Sequence, residues 1–214
     1  MSAMKKILYI LIVALLIALA LVVQKQMNFS QKNNNVATIV STGSTYIGTD
    51  IGGPFEMINH NGVEVSNRSF ADRYKLIYFG FTYCPSICPT ELQKMVMAYR
   101  ELPEDIKPLV QMIFVSVDPE RDTPEVMNEY VSLFDPTMIG LTGTQKQVNE
   151  IKEEYKVYSA KVSNEANTDY TVDHSSYIYF MSPDDQILDL FKMTSTPEEI
   201  TEQISKMVFA RQQI

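Results

Sequence analysis

The feature that most constrains this chain is the junction at Tyr74–Phe81, YKLIYFGF, and the segment that follows it. An almost wholly apolar run of this length reads as a strand buried on both faces, so it belongs inside a sheet and needs cover on two sides. Directly after it, TYCPSIC breaks the run with two cysteines and a proline, and PTELQKMVMAYREL then repeats apolar residues at Leu92, Met95 or Val96, and Tyr99. That spacing is helical, and Pro89 suits the first helical position, which makes Cys88 the approximate N-cap. A buried strand that passes through a cysteine loop into a helix calls for a layered α/β domain.

The remainder of the chain keeps the same alternation. VQMIFVSVD (Val110 to Asp118) is a second buried strand, and Thr123-Pro124 opens a helix that runs to about Phe134. A strand around Met138 to Leu141 precedes a capping box at Thr144 and Gln147 and the helical pattern Val148, Ile151, Tyr155. Upstream, Phe55, Met57, Val63 and Val65 flank an Asn-His-Asn-Gly turn, a hairpin signal. Downstream, SSYIYFM and QILDLF flank the turn Pro183-Asp184-Asp185, and Thr196-Pro197-Glu198-Glu199 begins a final helix. The order ββ, βα, βα, βα, ββ, α predicts a mainly parallel central sheet flanked by helices, with an antiparallel hairpin at one side. A thioredoxin-like fold fits that order best.

Charge separates the amino end from the rest. Ile7 to Val23 carries no charged residue, with Lys5 and Lys6 in front and Lys25 behind. This is the short end of the length needed to span a bilayer, and it reads as an uncleaved transmembrane signal anchor. The competing reading is a cleaved signal peptide at Ala18-Leu19-Ala20, which would leave Leu21-Val22-Val23 as an unusually apolar mature start. The two lysines hold residues 1–6 in the cytoplasm and send everything after Lys25 across the membrane. Residues 24–49, rich in Gln, Asn, Ser, Thr and Gly, form a tether, and 50–214 the folded domain. All 26 acidic residues fall in that domain, and the chain as a whole has a net charge of −8 and a sequence pI near 4.8. No basic stripe is present for a phosphate backbone, so nucleic acid is not expected as a partner.

The chemistry centres on Cys84-Pro85-Ser86-Ile87-Cys88, at the carboxyl end of a buried strand, where the active groups of open α/β sheets collect. A thiol at a helix N-terminus is favoured as thiolate, so Cys88 is expected to titrate below the free value. Three residues between the cysteines, against two in thioredoxin, widen the loop and let both sulfurs face one ion. A static disulfide or two inert buried thiols is the structural alternative. A metal would need a further ligand, and the chain has two histidines. His174 opens the strand SSYIYFM after the unpatterned stretch SNEANTDYTVD, which reads as a loop and makes it a mobile ligand candidate. His60 sits in the first hairpin turn and is expected to be solvated. Two thiolates and one imidazole suit Cu(I) or a distorted Cu(II), whereas a structural zinc normally has four protein ligands. Asp118 and Asp122 suit either a carboxylate beside the cysteine loop or simple turn capping. Asp173 is a candidate to orient His174, although adjacency in sequence makes that awkward. Met95, Met112 and Met127 fall on apolar positions and read as core.

The segments YFGFTYCPSICPTEL, VSVDPERDTP and DYTVDHSSYIYF, with 86 positions from Cys88 to His174, resemble the Sco/SenC family of membrane-anchored copper proteins. The resemblance covers about Gly52 to Met207, and its departures, such as NRSFADRYK after the first hairpin, touch no motif position. It implies a thioredoxin-like fold and one copper, Cu(I) or Cu(II), held by Cys84, Cys88 and His174. It further implies a copper chaperone, without enzymatic activity of its own, that receives copper from an upstream donor. That chaperone would deliver copper to the binuclear site on cytochrome c oxidase subunit II or reduce that site's cysteines. Its place would be the inner membrane, with the domain in the periplasm or the mitochondrial intermembrane space. Some family members are argued to act as thiol-disulfide reductants, which leaves an extracytoplasmic oxidoreductase using Cys84 and Cys88 as the alternative.

Overall fold

Tyr74–Gly80 and Val110–Ser116 are buried at every position and lie side by side in parallel, from Tyr74 against Val110 to Gly80 against Ser116. They are β3 and β4 of a computed structural model that describes residues 49–163 and 170–212. The segments read as cytoplasmic end, anchor and, up to residue 48, tether lie outside the described residues. Among the described residues, no helix is long and apolar enough to cross a membrane.

The other strands are β1 (Glu56–Asn59), β2 (Glu64–Ser66), β5 (Ile139–Thr142), β6 (Ser159–Ser163), β7 (Tyr170–His174), β8 (Ile178–Met181) and β9 (Ile187–Phe191). The helices are α1 (Ile87–Arg100), α2 (Pro124–Ser132), α3 (Gln145–Glu154) and α4 (Pro197–Gln212). Seven strands form one sheet in the order β2-β1-β5-β4-β3-β8-β9. α1 packs on β3, β4 and α4, while α2 packs on β5 and α3 on β1. This is the α/β, thioredoxin-like arrangement expected, with both layers of helix burying the apolar strands. The local signals that place α2 and α3 are present: Thr123 accepts from the Val126 N–H, and Thr144 and Gln147 complete a capping box.

Three expectations need correction. Among the described residues only β3, β4 and β5 are parallel, and antiparallel hairpins close both edges, because β1 docks on β5 as well as β8 on β3. His60 is the reason on the first side. Its N–H donates to the Gly140 carbonyl at 2.8 Å, and its Nδ1 accepts from the Gly140 N–H at 3.0 Å. The ring is therefore half-buried and tied to β5, not solvated. The third correction concerns the stretch SNEANTDYTVD, read as a loop: its end is β7, which pairs with β6, a strand the sequence pattern did not indicate, in a second, two-stranded antiparallel sheet. Both arms are largely exposed, with only Val172 buried, so no apolar alternation marks them in the sequence.

Lys75, the one charged residue within β3, is fully buried and pairs with Asp185 at 2.5 Å. It also donates to the Pro183 carbonyl at 3.1 Å, so the charge in the strand anchors the β8–β9 turn.

Candidate metal centre

β3 and β4 end together, and the cysteine loop and the segment DPERD leave from that same end of the sheet. Thr82 begins the loop. Its N–H and hydroxyl both donate to the Asp122 carboxylate, at 3.2 and 2.6 Å, and Ser116 Oγ donates to it at 2.5 Å. Asp122 is fully buried, and burial raises its pKa despite these three donors. The carboxylate thus holds the loop against the end of β4.

α1 begins earlier than the proline suggested. Ser86 is its N-cap and Cys88 its second residue, so Cys88 lies inside the first turn. Pro89 is accommodated there because the first N–H groups of a helix have no helical partner, and a missing one costs nothing. The Ser86 side chain makes no capping bond; instead the Cys88 N–H donates to Cys84 Sγ at 3.4 Å. This reverses the expected division of acidity. Hydrogen bonding from the Cys88 thiol, with further N–H donors from Cys88, Ser86 and Ile87, lowers Cys84 to about 5 against the opposing effect of burial. Cys88 is raised, first by sharing its proton with Cys84 and then by burial. The helix start acts on the sulfur lying outside it.

His174 ends β7, where the sequence had it opening a strand. Its Nε2 lies 3.4 Å from Cys88 Sγ and its Nδ1 3.0 Å from the Ser175 carbonyl. A carbonyl only accepts, so Nδ1 carries the proton and Nε2 presents its lone pair toward the sulfurs. Asp173 is exposed and the Ser175 carbonyl fills the orienting role considered for it. Tyr78 and Phe81 meet the imidazole edge-on, at centroid distances of 6.1 and 5.9 Å.

Cys84, Cys88 and His174 are thus brought together, their ligand atoms all within 4.8 Å of one another, and both cysteines are free thiols. Among the described residues, no fourth histidine, cysteine or carboxylate joins the group. Two soft sulfurs and one imidazole fit a copper ion better than a structural zinc. His60 lies elsewhere, in the turn after β1, bonded to Gly140 of β5. Asp118 is fully buried, pairs with Arg121 at 2.5 Å and accepts from the Tyr170 hydroxyl at 2.7 Å.

Four supporting residues lie inside the segments that carry the family resemblance but received no role from residue type or spacing: Tyr78 and Phe81 look like any core aromatic, while Gly80 and Arg121 acquire meaning only from their neighbours. A Cβ on Gly80 would stand 2.8 Å from Cys88 Sγ, so only glycine lets the helix turn approach β3 this closely.

The sequence profile of the SCO1/SenC family matches residues 44–209. The human protein SCO1 homolog, mitochondrial, is 38% identical over 160 residues, covering 72% of this chain and 52% of its own length. The chain therefore spans about half of that relative. Arabidopsis thaliana ScoI, crystallised with copper bound, is 38% identical and superimposes with a TM-score of 0.71 over 75% of this chain and 99% of that one. BsSco is 27% identical, with a TM-score of 0.56 over 73% of this chain and 92% of its own. It carries a disulfide switch and is described as a member of the Sco family of cytochrome c oxidase assembly proteins. A profile match across the whole folded domain, joined to these identities and to one shared fold, means that the chain belongs to the SCO1/SenC family.

Proposed function

We propose that this protein is a membrane-tethered copper chaperone of cytochrome c oxidase assembly. Residues 1–6 stay in the cytoplasm, 7–23 anchor it in the inner membrane, 24–49 tether it, and 50–214 carry one copper outside the cytoplasm. Cys84, Cys88 and His174 are the ligands. The observation that carries the reading is their convergence, within 4.8 Å, from two places in the chain, the cysteine loop with its helix start and the end of β7. The copper held by the Arabidopsis relative and the oxidase-assembly role stated for the family of BsSco support it.

Copper is cargo here, taken from an upstream donor and passed to the binuclear site of oxidase subunit II. The chain's part is to present donors that suit a soft ion without enclosing it. A three-ligand site at the end of a sheet leaves one side for an incoming ligand from the receiving protein. Cys84 is the sulfur suited to release and recapture, being already a thiolate at neutral pH and lying outside the helix.

One observation favours a second reading. A thiolate at Cys84 beside a protonated Cys88 is the pairing that starts thiol-disulfide exchange, and BsSco carries a disulfide switch. In that reading the protein reduces the cysteines of the subunit II site and does not load it. The experiment that separates the two uses the purified, reduced full chain in detergent. One tightly held copper with two sulfur ligands and one nitrogen, by metal analysis and X-ray absorption, supports the chaperone. Failure to retain copper, with rapid reduction of a subunit II peptide disulfide, supports the reductase.

A further inference from the structure

We propose that Arg121 is a positioning residue of the metal centre: clamped by Asp118, its guanidinium grips the cysteine loop and the histidine strand together and sets the separation of imidazole from thiols. The proposal rests on the reading of Cys84, Cys88 and His174 as ligands.

β6 and β7 pair with each other and with no strand of the seven-stranded sheet. A lone two-stranded ribbon is marginal in water, so contacts other than a sheet ladder must hold it. Val172 packs into the core, and the polar contacts converge on Asp118–Asp122, the segment beside the cysteine loop. Arg121 Nη1 donates to the Tyr170 carbonyl at 3.0 Å, and the Tyr170 hydroxyl donates to Asp118 Oδ1 at 2.7 Å. Farther out, Lys161 pairs with Glu120 at 2.6 Å and lies 4.5 Å above the Tyr170 ring.

Arg121 also reaches the other half of the site. Its guanidinium carbon lies 3.9 Å from the centroid of Tyr170, 4.8 Å from that of Tyr83 and 5.7 Å from that of Phe81. Tyr83 immediately precedes Cys84, and Phe81 meets the His174 ring. One cation is therefore stacked between the element bearing the sulfurs and the element bearing the imidazole. The 2.5 Å bond from its Nε to buried Asp118 fixes the plane of the guanidinium, and Asp122, one residue on, fastens Thr82 of the loop. Tyr170 begins β7 and His174 ends it, roughly 13 Å away at about 3.3 Å per residue. A strand clamped at the first carries the second as a lever.

The test compares Arg121→Ala, Arg121→Lys and Lys146→Ala with the parent, as full chains in detergent loaded with Cu(II) and, separately, Cu(I). Residues that orient metal ligands typically change affinity by about 10- to 100-fold when removed, and Arg121→Ala is expected to release Cu(II) to a chelator about 10-fold faster. Its histidine nitrogen signal in electron paramagnetic resonance should weaken, while Cu(I), which two thiolates still suit, changes less. Arg121→Lys keeps the charge without the plane and should recover only part of the signal. Lys146→Ala, in an exposed pair with Glu150 on α3, should match the parent. A lowered melting temperature in Arg121→Ala with the parent's nitrogen signal and release rate would make the residue merely structural. If Arg121→Ala does not fold, Arg121→Lys decides in the same way. A parent that itself lacks the nitrogen signal overturns the ligand reading and this proposal with it.

Discussion

His174 Nε2 stands 3.4 Å from Cys88 Sγ, although 86 positions separate the two residues in the chain. Nothing local brings them together. Cys88 is held in the first turn of α1 and His174 at the end of β7, so the third donor joins the first two only in the folded state. Metal affinity at such a site is coupled to folding, and metal must raise the stability of the native chain.

The two histidines should behave oppositely on substitution. If His174 is a ligand as proposed, His174→Ala is expected to weaken Cu(II) by at least the about 10- to 100-fold typical of a residue that merely orients one, while Cu(I) is affected less. His60→Ala should leave copper binding unchanged. It breaks the Nδ1 bond from the Gly140 N–H, and losing one such bond costs about 1 kcal/mol. Copper stoichiometry, the Cu(II) spectrum and thermal midpoints of the two variants read both effects. Loss of Cu(II) from His60→Ala with retention in His174→Ala would invert the assignment.

Much of the fold was legible because burial is written into composition: β3, β4, β8 and the capped starts of α2 and α3 each carry a pattern of period or punctuation. β6 and β7 were not legible, since two exposed arms of SAKVS and YTVDH have no buried face to impose alternation. The three ligand candidates could be named from residue type and spacing. Which cysteine is the acidic one could not, because that depends on whether the helix starts at Ser86 or at Cys88. Two residues of offset move the unpaired N–H groups from one sulfur to the other.

Gly80→Ala tests the close approach of α1 to β3. The added methyl would meet Cys88 Sγ at 2.8 Å and the Phe114 ring at 3.0 Å, both in fully buried surroundings. Overpacking of this kind costs about 1–3 kcal/mol, and the sulfur has to move to relieve it. The expected result is a lower denaturation midpoint together with weaker copper binding. A variant that loses stability yet binds copper as the parent does would show that Cys88 has room to shift without leaving the site.

Asp122→Ala should loosen the cysteine loop from the sheet. It leaves the Thr82 N–H, the Thr82 hydroxyl and the Ser116 hydroxyl without their shared acceptor, and a buried donor so orphaned costs about 1–3 kcal/mol. Faster amide hydrogen exchange at Thr82 and Tyr83, ahead of any change in the β8–β9 hairpin, is the expected signature. Uniform acceleration across the domain would instead mean global destabilisation.

The amino-terminal anchor can be tested by a fusion at the carboxyl end. With Lys5 and Lys6 held inside, a reporter placed after residue 214 should work only if it functions outside the cytoplasm. Activity of a cytoplasmic reporter at that point would overturn the topology.

The two thiols make the stability of the apoprotein depend on pH in a definite direction. Cys84 is lowered from 9.0 to about 5 on folding, so between those values the unfolded chain binds a proton that the native chain has lost. Stability contributed by this group is complete above 9 and disappears as the pH falls through about 5. Cys88 is raised from 9.0, so above that pH the native chain keeps a proton that the unfolded chain releases, and its contribution falls as the pH rises. The reduced apoprotein should therefore gain stability from this pair as the pH climbs from about 5 toward 9 and lose it beyond. Alkylation should follow the same division, with Cys84 modified at a nearly constant rate at neutral pH and Cys88 resistant. Bound Cu(I) should suppress reaction at both. Mass spectrometry of singly alkylated protein identifies the residue, and preferential modification of Cys88 in the reduced apoprotein would reverse the assignment of the nucleophile.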